Sequence, residues 1–183
     1  MSRTAFLRLE WGLSLALIAL ALGWGAWRGL PLARSWRVTP RDVAAGAAAG
    51  ALLWLWIPAL FRMPDMRRLW ETVLAPFAGM LGTTDIAVIA LLSGVSEEIF
   101  FRGVLLPEIG LVASSLIFGL LHALNRVYAV WATLTGAGFG LLALYADTLV
   151  TPVVAHVTYN LGALVMLRRW QARATVPEGG TRT

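Results

Sequence analysis

The stretch DIAVIALLSGVSEEIFFRGVLLP, residues 85–107, decides the reading of this chain. It is apolar over the roughly 20 residues that a helix needs to cross a hydrocarbon core. Yet Glu97, Glu98 and Arg102 lie in its interior. Ionisable groups at that depth are costly, so their presence asks for a partner or a function. A soluble domain offers no better account. Of the 183 residues, 58% are hydrophobic and only 14% are charged, too few charges to cover a soluble surface.

Five further apolar segments extend the pattern. They run from about Trp11 to Trp27, Pro40 to Phe61, Ile109 to Leu124, Tyr128 to Ala146 and Pro152 to Leu167. The first could also be read as a signal peptide, since Arg3 and Arg8 precede it, but no clean small-x-small cleavage site follows. Thr39-Pro40 and Thr151-Pro152 read as N-caps followed by proline at the first helical position, and Thr83-Thr84-Asp85 as a third cap cluster. Residues 63–81 mix Arg67, Arg68 and Glu71 with Leu, Trp and Phe, the pattern of an interfacial amphipathic helix, broken at Pro76. Gly136, Gly138 and Gly140 would let the fifth span approach its neighbours closely. Trp11, Trp27, Trp36 and Trp70 fall where interfacial anchors belong.

The fold expected is therefore all-α: a polytopic transmembrane bundle of about six spans plus an interfacial helix. Residues 1–84 form an N-terminal membrane region, 85–167 a helical core, and 168–183 a polar, disordered tail. Six spans put both termini on one side. Ten Arg then lie on that side against four on the other, which favours cytoplasmic termini in the cell (inner) membrane. All 15 basic residues are Arg and the net charge is +5, but they flank apolar runs instead of forming one basic face, so nucleic acid is not the expected partner. The absence of Cys excludes disulfides, thiolate metal sites and a Cys nucleophile.

Three polar clusters fall inside the spans: Glu97-Glu98 with Arg102, Phe118 with His122, and His156 with Asn160. Glu98 and Arg102 are four apart and share a helix face, as do His156 and Asn160. Glu97 points about 100° away from Glu98 and can face a different neighbour. Three helices can thus direct a carboxylate, two imidazoles and an amide into one cavity. Such a set suits hydrolysis of an amide by activated water: a buried carboxylate as base, a His beside it, and a His–Asn pair donating to a developing oxyanion. The same groups could bind a divalent metal and activate its water. The plainer reading makes each of them a packing residue that bridges helices. Adjacent acids in mid-membrane are an expensive way to do that.

Glu97-Glu98-x-x-Phe101-Arg102-Gly103, Phe118-x-x-x-His122 and His156-x-x-x-Asn160, in this order, resemble the three motifs of the type II CAAX protease and bacteriocin-processing (CPBP) family of intramembrane proteases. The resemblance spans about Asp85 to Leu167. It implies an all-helical membrane fold and an endopeptidase acting on a peptide or membrane-protein substrate. By the matching positions, Glu97 would activate water with the help of His122. His156 and Asn160 would support the oxyanion, and Glu98 and Arg102 would be supporting residues. The resemblance leaves open a metal-independent glutamate mechanism, which is favoured here, and a zinc mechanism with Glu97, His122 and His156 as ligands. Two rival functions remain. One is a non-catalytic scaffold or bacteriocin-immunity protein that uses the polar core to bind a partner helix. The other is a small proton or metal transporter, against which the clustering in one layer counts.

Overall fold

A computed structural model describes residues 2–32 and 36–174; Arg34 of the basic loop and the segment 175–183 lie outside the described residues. The described chain is helical without strands. Helix α1 spans Arg3–Arg28, α2 Pro40–Trp54, α3 Ile57–Phe61, α4 Pro64–Leu69, α5 Ala75–Gly79, α6 Thr83–Phe100, α7 Leu106–Leu121, α8 Arg126–Ala146 and α9 Val150–Ala174. Five helical runs are long and apolar enough to cross a membrane: Arg3–Arg28, Pro40–Phe61, Thr83–Leu121, Arg126–Ala146 and Val150–Ala174. Their outward faces carry large apolar side chains such as Leu22, Leu52, Val112, Leu120, Leu134 and Leu144, all more than half exposed. In water such a surface would aggregate; facing lipid it costs nothing.

The expected third and fourth spans are two limbs of the one run Thr83–Leu121. The first limb does not stop at Pro107. A π-helical turn, Phe101–Leu105, precedes that proline and widens the helix just where its ring would meet the carbonyl of Gly103. The chain reverses at Gly110 instead, whose φ of 80° and ψ of 171° suit only glycine. The second limb, from Leu111 to Leu121, is about 16 Å long at 1.5 Å per residue. It spans only half the hydrocarbon core. The helix stops short of the expected end near Leu124: α7 has His122 as its C-cap.

The same device recurs in the segment across the bundle end. A π-helical turn at Trp70–Leu74 precedes Pro76, so the helix there bends through the proline and is not broken by it. Trp70 is buried against Ile57, Ala75, Ala78 and Leu167 and meets Phe61 edge-on at 5.4 Å, so it is a core residue and not an interfacial anchor. Thr39 caps α2 as expected, its Oγ1 accepting from the Asp42 amide at 3.2 Å. For α9 the hydroxyl that accepts an early amide is Thr148, from Val150 at 3.2 Å, and Thr151 lies inside the first turn. At α6 the N-cap is Gly82, whose amide donates to the N3 carboxylate of Asp85 at 2.7 Å. The chain from Arg168, expected to be a disordered tail, is helical to Ala174, since α9 carries Arg168, Arg169 and Arg173 in its last turns.

Ion pairs fix the ends. Arg3 meets Asp85 at 2.7 Å and Arg168 donates to Thr83 at 3.1 Å, which marks one end of the bundle. Arg28 meets Glu108 at 2.9 Å and Arg37 donates to the Ala146 carbonyl at 3.0 Å, which marks the other. The first turns of α1 and the last turns of α9 thus share an end. Helices α2 and α9 run side by side in parallel, and Gly46 and Gly50 make this possible. A Cβ on either would strike the α9 backbone, at Thr151 O and Ala155 O respectively. Small residues four apart are the usual means of bringing membrane helices into backbone contact. Of the three glycines expected to do this in α8, Gly136 and Gly140 face neighbours, whereas Gly138 faces open space.

Candidate active site

At the centre of the bundle lies the Glu98 carboxylate, fully buried. Arg102, one turn later, donates to its Oε1 at 2.8 Å, as the four-residue spacing predicts. His156 of α9 places Nδ1 2.7 Å from the same oxygen. A carboxylate only accepts, so this contact puts a proton on Nδ1 and turns the Nε2 edge of the ring toward the cavity. Phe139 stacks on the His156 ring at 4.9 Å and holds its plane. Arg102 donates from Nη2 to the Gly136 carbonyl at 2.7 Å and lies over the Phe118 ring, 4.8 Å from its centroid. The guanidinium can reach that carbonyl because position 136 has no side chain.

Glu97 faces away from this pair, toward α7. Its Oε2 stands 3.6 Å from Nε2 of His122, just beyond hydrogen-bonding distance, and has no other partner. His122 sits at the depth of Glu97 because the limb that carries it is short and turns back at Gly110. Its Nδ1 lies 2.8 Å from the Phe118 carbonyl, which can only accept. Nδ1 therefore carries a proton, and in the neutral ring Nε2 is an acceptor. Two acceptors, a carboxylate oxygen and an imidazole nitrogen, thus confront each other. Phe118 stacks on the His122 ring at 4.3 Å and locks this orientation.

Asn160 lies one turn after His156 and donates from Nδ2 to the Ser93 hydroxyl at 3.0 Å. Ser93 in turn donates to the Ile89 carbonyl at 2.8 Å, which leaves its lone pair for Asn160. The second Asn160 N–H remains available. Glu97, His122, His156 and Asn160 all line one cavity of about 110 Å³, so the structure brings together the four residues singled out from the sequence. Glu98 and Arg102 lie behind it. That volume holds several water molecules. Tyr128, Trp131 and Tyr159 complete its wall, and the Trp131 indole donates to the Tyr159 hydroxyl at 2.9 Å.

Sequence reasoning missed Ser93, Tyr159 and Glu10. Ser93 had a usable signal, since it lies one helical turn before Glu97 on the same stretch of α6. Glu10 was lost because the first span was taken to begin at Trp11, whereas α1 starts at Arg3 and encloses it. For the zinc alternative the donor set is the test. Among the described residues no three His, Asp or Glu side chains are disposed to hold a metal ion. His156 gives its Nδ1 to Glu98, which leaves only its Nε2 for the cavity. Among the described residues Glu97, His122 and His156 are not gathered into a metal-holding group, and no step below is routed through zinc.

An all-helical membrane protein that gathers a carboxylate, two imidazoles and an amide around an interior cavity is, as a class, a polytopic membrane protein with a buried polar site of hydrolytic composition. Residues 80–162, somewhat under half of the chain, match the family model described as Type II CAAX prenyl endopeptidase Rce1-like. The match takes in all three motifs and supports a membrane-embedded CAAX-protease type of function in general. No curated protein and no solved structure matches the chain.

Proposed function

We propose that this chain is an intramembrane endopeptidase that hydrolyses a peptide bond with water activated between Glu97 and His122. The observation that carries the reading is the confrontation of two acceptors at 3.6 Å inside a small cavity. Each lacks a donor, and one water molecule supplies a hydrogen to each. Glu97 takes the water proton as the oxygen attacks the scissile carbonyl carbon. The carbonyl oxygen becomes an oxyanion, met by the second N–H of Asn160 and, when the His156 ring carries both protons, by its Nε2–H. Glu97 then returns the proton to the amide nitrogen, the C–N bond breaks, and carboxylate and amine products leave. Glu98 positions His156, and Arg102 balances the charge of Glu98. No covalent intermediate and no metal ion enters the scheme.

Access from the lipid supports an embedded substrate. A groove of about 310 Å³ between α2 and α8 shares Trp131, Thr135 and Phe139 with the cavity wall. A cytoplasmic position for the end where α1 begins and α9 finishes is the orientation the positive-inside tendency favours, since Arg3, Arg168, Arg169 and Arg173 lie there.

The test is cleavage of a peptide library by the purified protein in detergent, with Glu97→Gln as control. The amide keeps the shape and cannot accept a proton. Turnover should fall by at least the roughly 10²–10⁴-fold typical of a general base, with the melting temperature unchanged. Activity that survives Glu97→Gln would remove Glu97 from the chemistry.

A further inference from the structure

Glu10 has no hydrogen-bond or ion-pair partner among the described residues, although it lies about 10 Å inside α1 from Arg3 at 1.5 Å per residue. An unpaired acid within a membrane-crossing helix is a candidate for function before it is a candidate for packing. It opens onto a groove of about 240 Å³ that shares Tyr128, Trp131, Tyr159 and Asn160 with the wall of the cavity. Six aromatic residues, Phe6, Trp70, Phe77, Tyr128, Trp131 and Tyr159, stand in its walls among aliphatic ones. The groove is thus largely apolar, with the Glu10 carboxyl in its lining. The cross-helix residues Met66, Trp70, Leu74 and Phe77 lie along it, on the side of the bundle end where α1 begins.

Aromatic faces around one carboxylate form a site for an organic cation. The ring faces attract a positive charge, and the acid neutralises it. Neither a neutral apolar side chain nor an acidic one would gain from Glu10. Arg102, near the centre, is already engaged by Glu98 and the Gly136 carbonyl, so it does not compete for the groove.

Resting on the protease reading above, we propose that this groove is a substrate subsite for a basic side chain, Lys or Arg, a few residues from the scissile bond, and that Glu10 is the residue that selects it. The substrate class is then a peptide whose cleavage site is flanked by a positive charge. That charge enters from the bundle end shared by Arg3 and Arg168 and rests between Glu10 and the aromatic wall.

The experiment compares fluorogenic peptides identical except for Arg, Gln or Glu at successive positions beside the scissile bond, with the full-length protein in detergent. The protein should prefer Arg over Gln at one position by about tenfold in kcat/KM, which corresponds to roughly 1.4 kcal/mol, chiefly through KM. In Glu10→Gln the Arg-to-Gln ratio should collapse toward one. In Glu10→Asp it should be partly retained, and in Glu10→Arg the preference should pass to the Glu peptide. A ratio that does not change in these variants, or that was never above one, overturns the subsite. A parallel measurement separates this from the protease reading: binding of the uncleaved Arg peptide to Glu97→Gln, followed by quenching of tryptophan fluorescence with a dansyl label. Glu10-dependent binding without cleavage by the unmodified protein leaves the subsite standing and sinks the protease. Cleavage without Glu10-dependent selectivity does the reverse, and the absence of both sinks both.

Discussion

Glu98 serves two partners at once, and that makes its removal the most instructive perturbation. The carboxylate is fully buried, 2.8 Å from Arg102 Nη1 and 2.7 Å from His156 Nδ1 through the same oxygen. Glu98→Ala strands the Arg102 guanidinium, itself 5% exposed, and frees the His156 ring to turn. Breaking a buried pair costs about 3–5 kcal/mol when one charge is left alone. For a chain of this size each kcal/mol lowers the melting temperature by roughly 2–4 °C. The expected fall is thus about 6–20 °C. Arg102→Ala leaves Glu98 with His156 still in place and should fall by less. In the double variant no unpaired charge remains from the pair, so its loss should be smaller than the sum of the singles by roughly 0.5–3 kcal/mol. Activity follows a different rule: it should not recover in the double variant, because His156 has lost its anchor there too. The assay is a melting series by intrinsic fluorescence in detergent with turnover measured on the same samples. A Glu98→Ala protein that melts like the unmodified one would refute the buried-pair argument. Recovery of activity in the double variant would refute the positioning of His156.

Other outcomes follow from the same geometry. Treatment with a chelator should leave turnover unchanged; loss restored by added zinc would make the histidines ligands and not acid–base groups. Gly50→Val should cost more than the roughly 1–3 kcal/mol usual for an overpacked core, seen as a fall in melting temperature, because the added carbons meet the Ala155 carbonyl and not a side chain that can move. Gly110→Ala should cost about 1–3 kcal/mol through backbone strain alone, since no neighbouring atom lies within 4 Å of the added Cβ. A thermal scan that shows no loss in Gly110→Ala would mean the reversal there is not held as described.

The membrane bundle and the four cavity residues were legible because both depend on local spacing. Apolar runs with Arg flanks read directly as spans, and the pairs Glu98–Arg102 and His156–Asn160 read directly as shared helix faces. The bond between Glu98 and His156 was not legible, because residues 58 apart in sequence meet only through the α6–α9 packing. Nor was the path of the chain between the first two motifs. Pro107 signals a helix end by its chemistry, but the π-helical turn before it absorbs the clash, and a single glycine three residues later makes the turn. Trp70 misled in the same way: tryptophan at the edge of an apolar run suits an interface, yet the bend at Pro76 folds it under α9.

The division between the family match and the rest of the chain coincides with a division of labour in the site. Residues 80–162 contain the carboxylates, imidazoles and amide that line or support the cavity. They also contain the Gly110 reversal that brings His122 up to the depth of Glu97. That reversal explains why a half-length helix is present at all: a full span would carry His122 to the bundle end, far from its acid. The groove beside the cavity is built differently. Phe6 and Glu10 come from α1, and Met66, Trp70, Leu74 and Phe77 come from the cross-helix, all outside the matched region. Its inner rim, Ile89, Ser93, Tyr128, Trp131, Tyr159 and Asn160, lies within the matched region. The acceptors 3.6 Å apart stand beside a buried pair whose members reach His156 of α9 and the Gly136 carbonyl of α8 and so tie the helices together. Under the proposed function, selection of the substrate falls to side chains on segments outside those helices. On this reading the N-terminal region does more than fill the bundle. It carries the charge that decides which peptides reach Glu97.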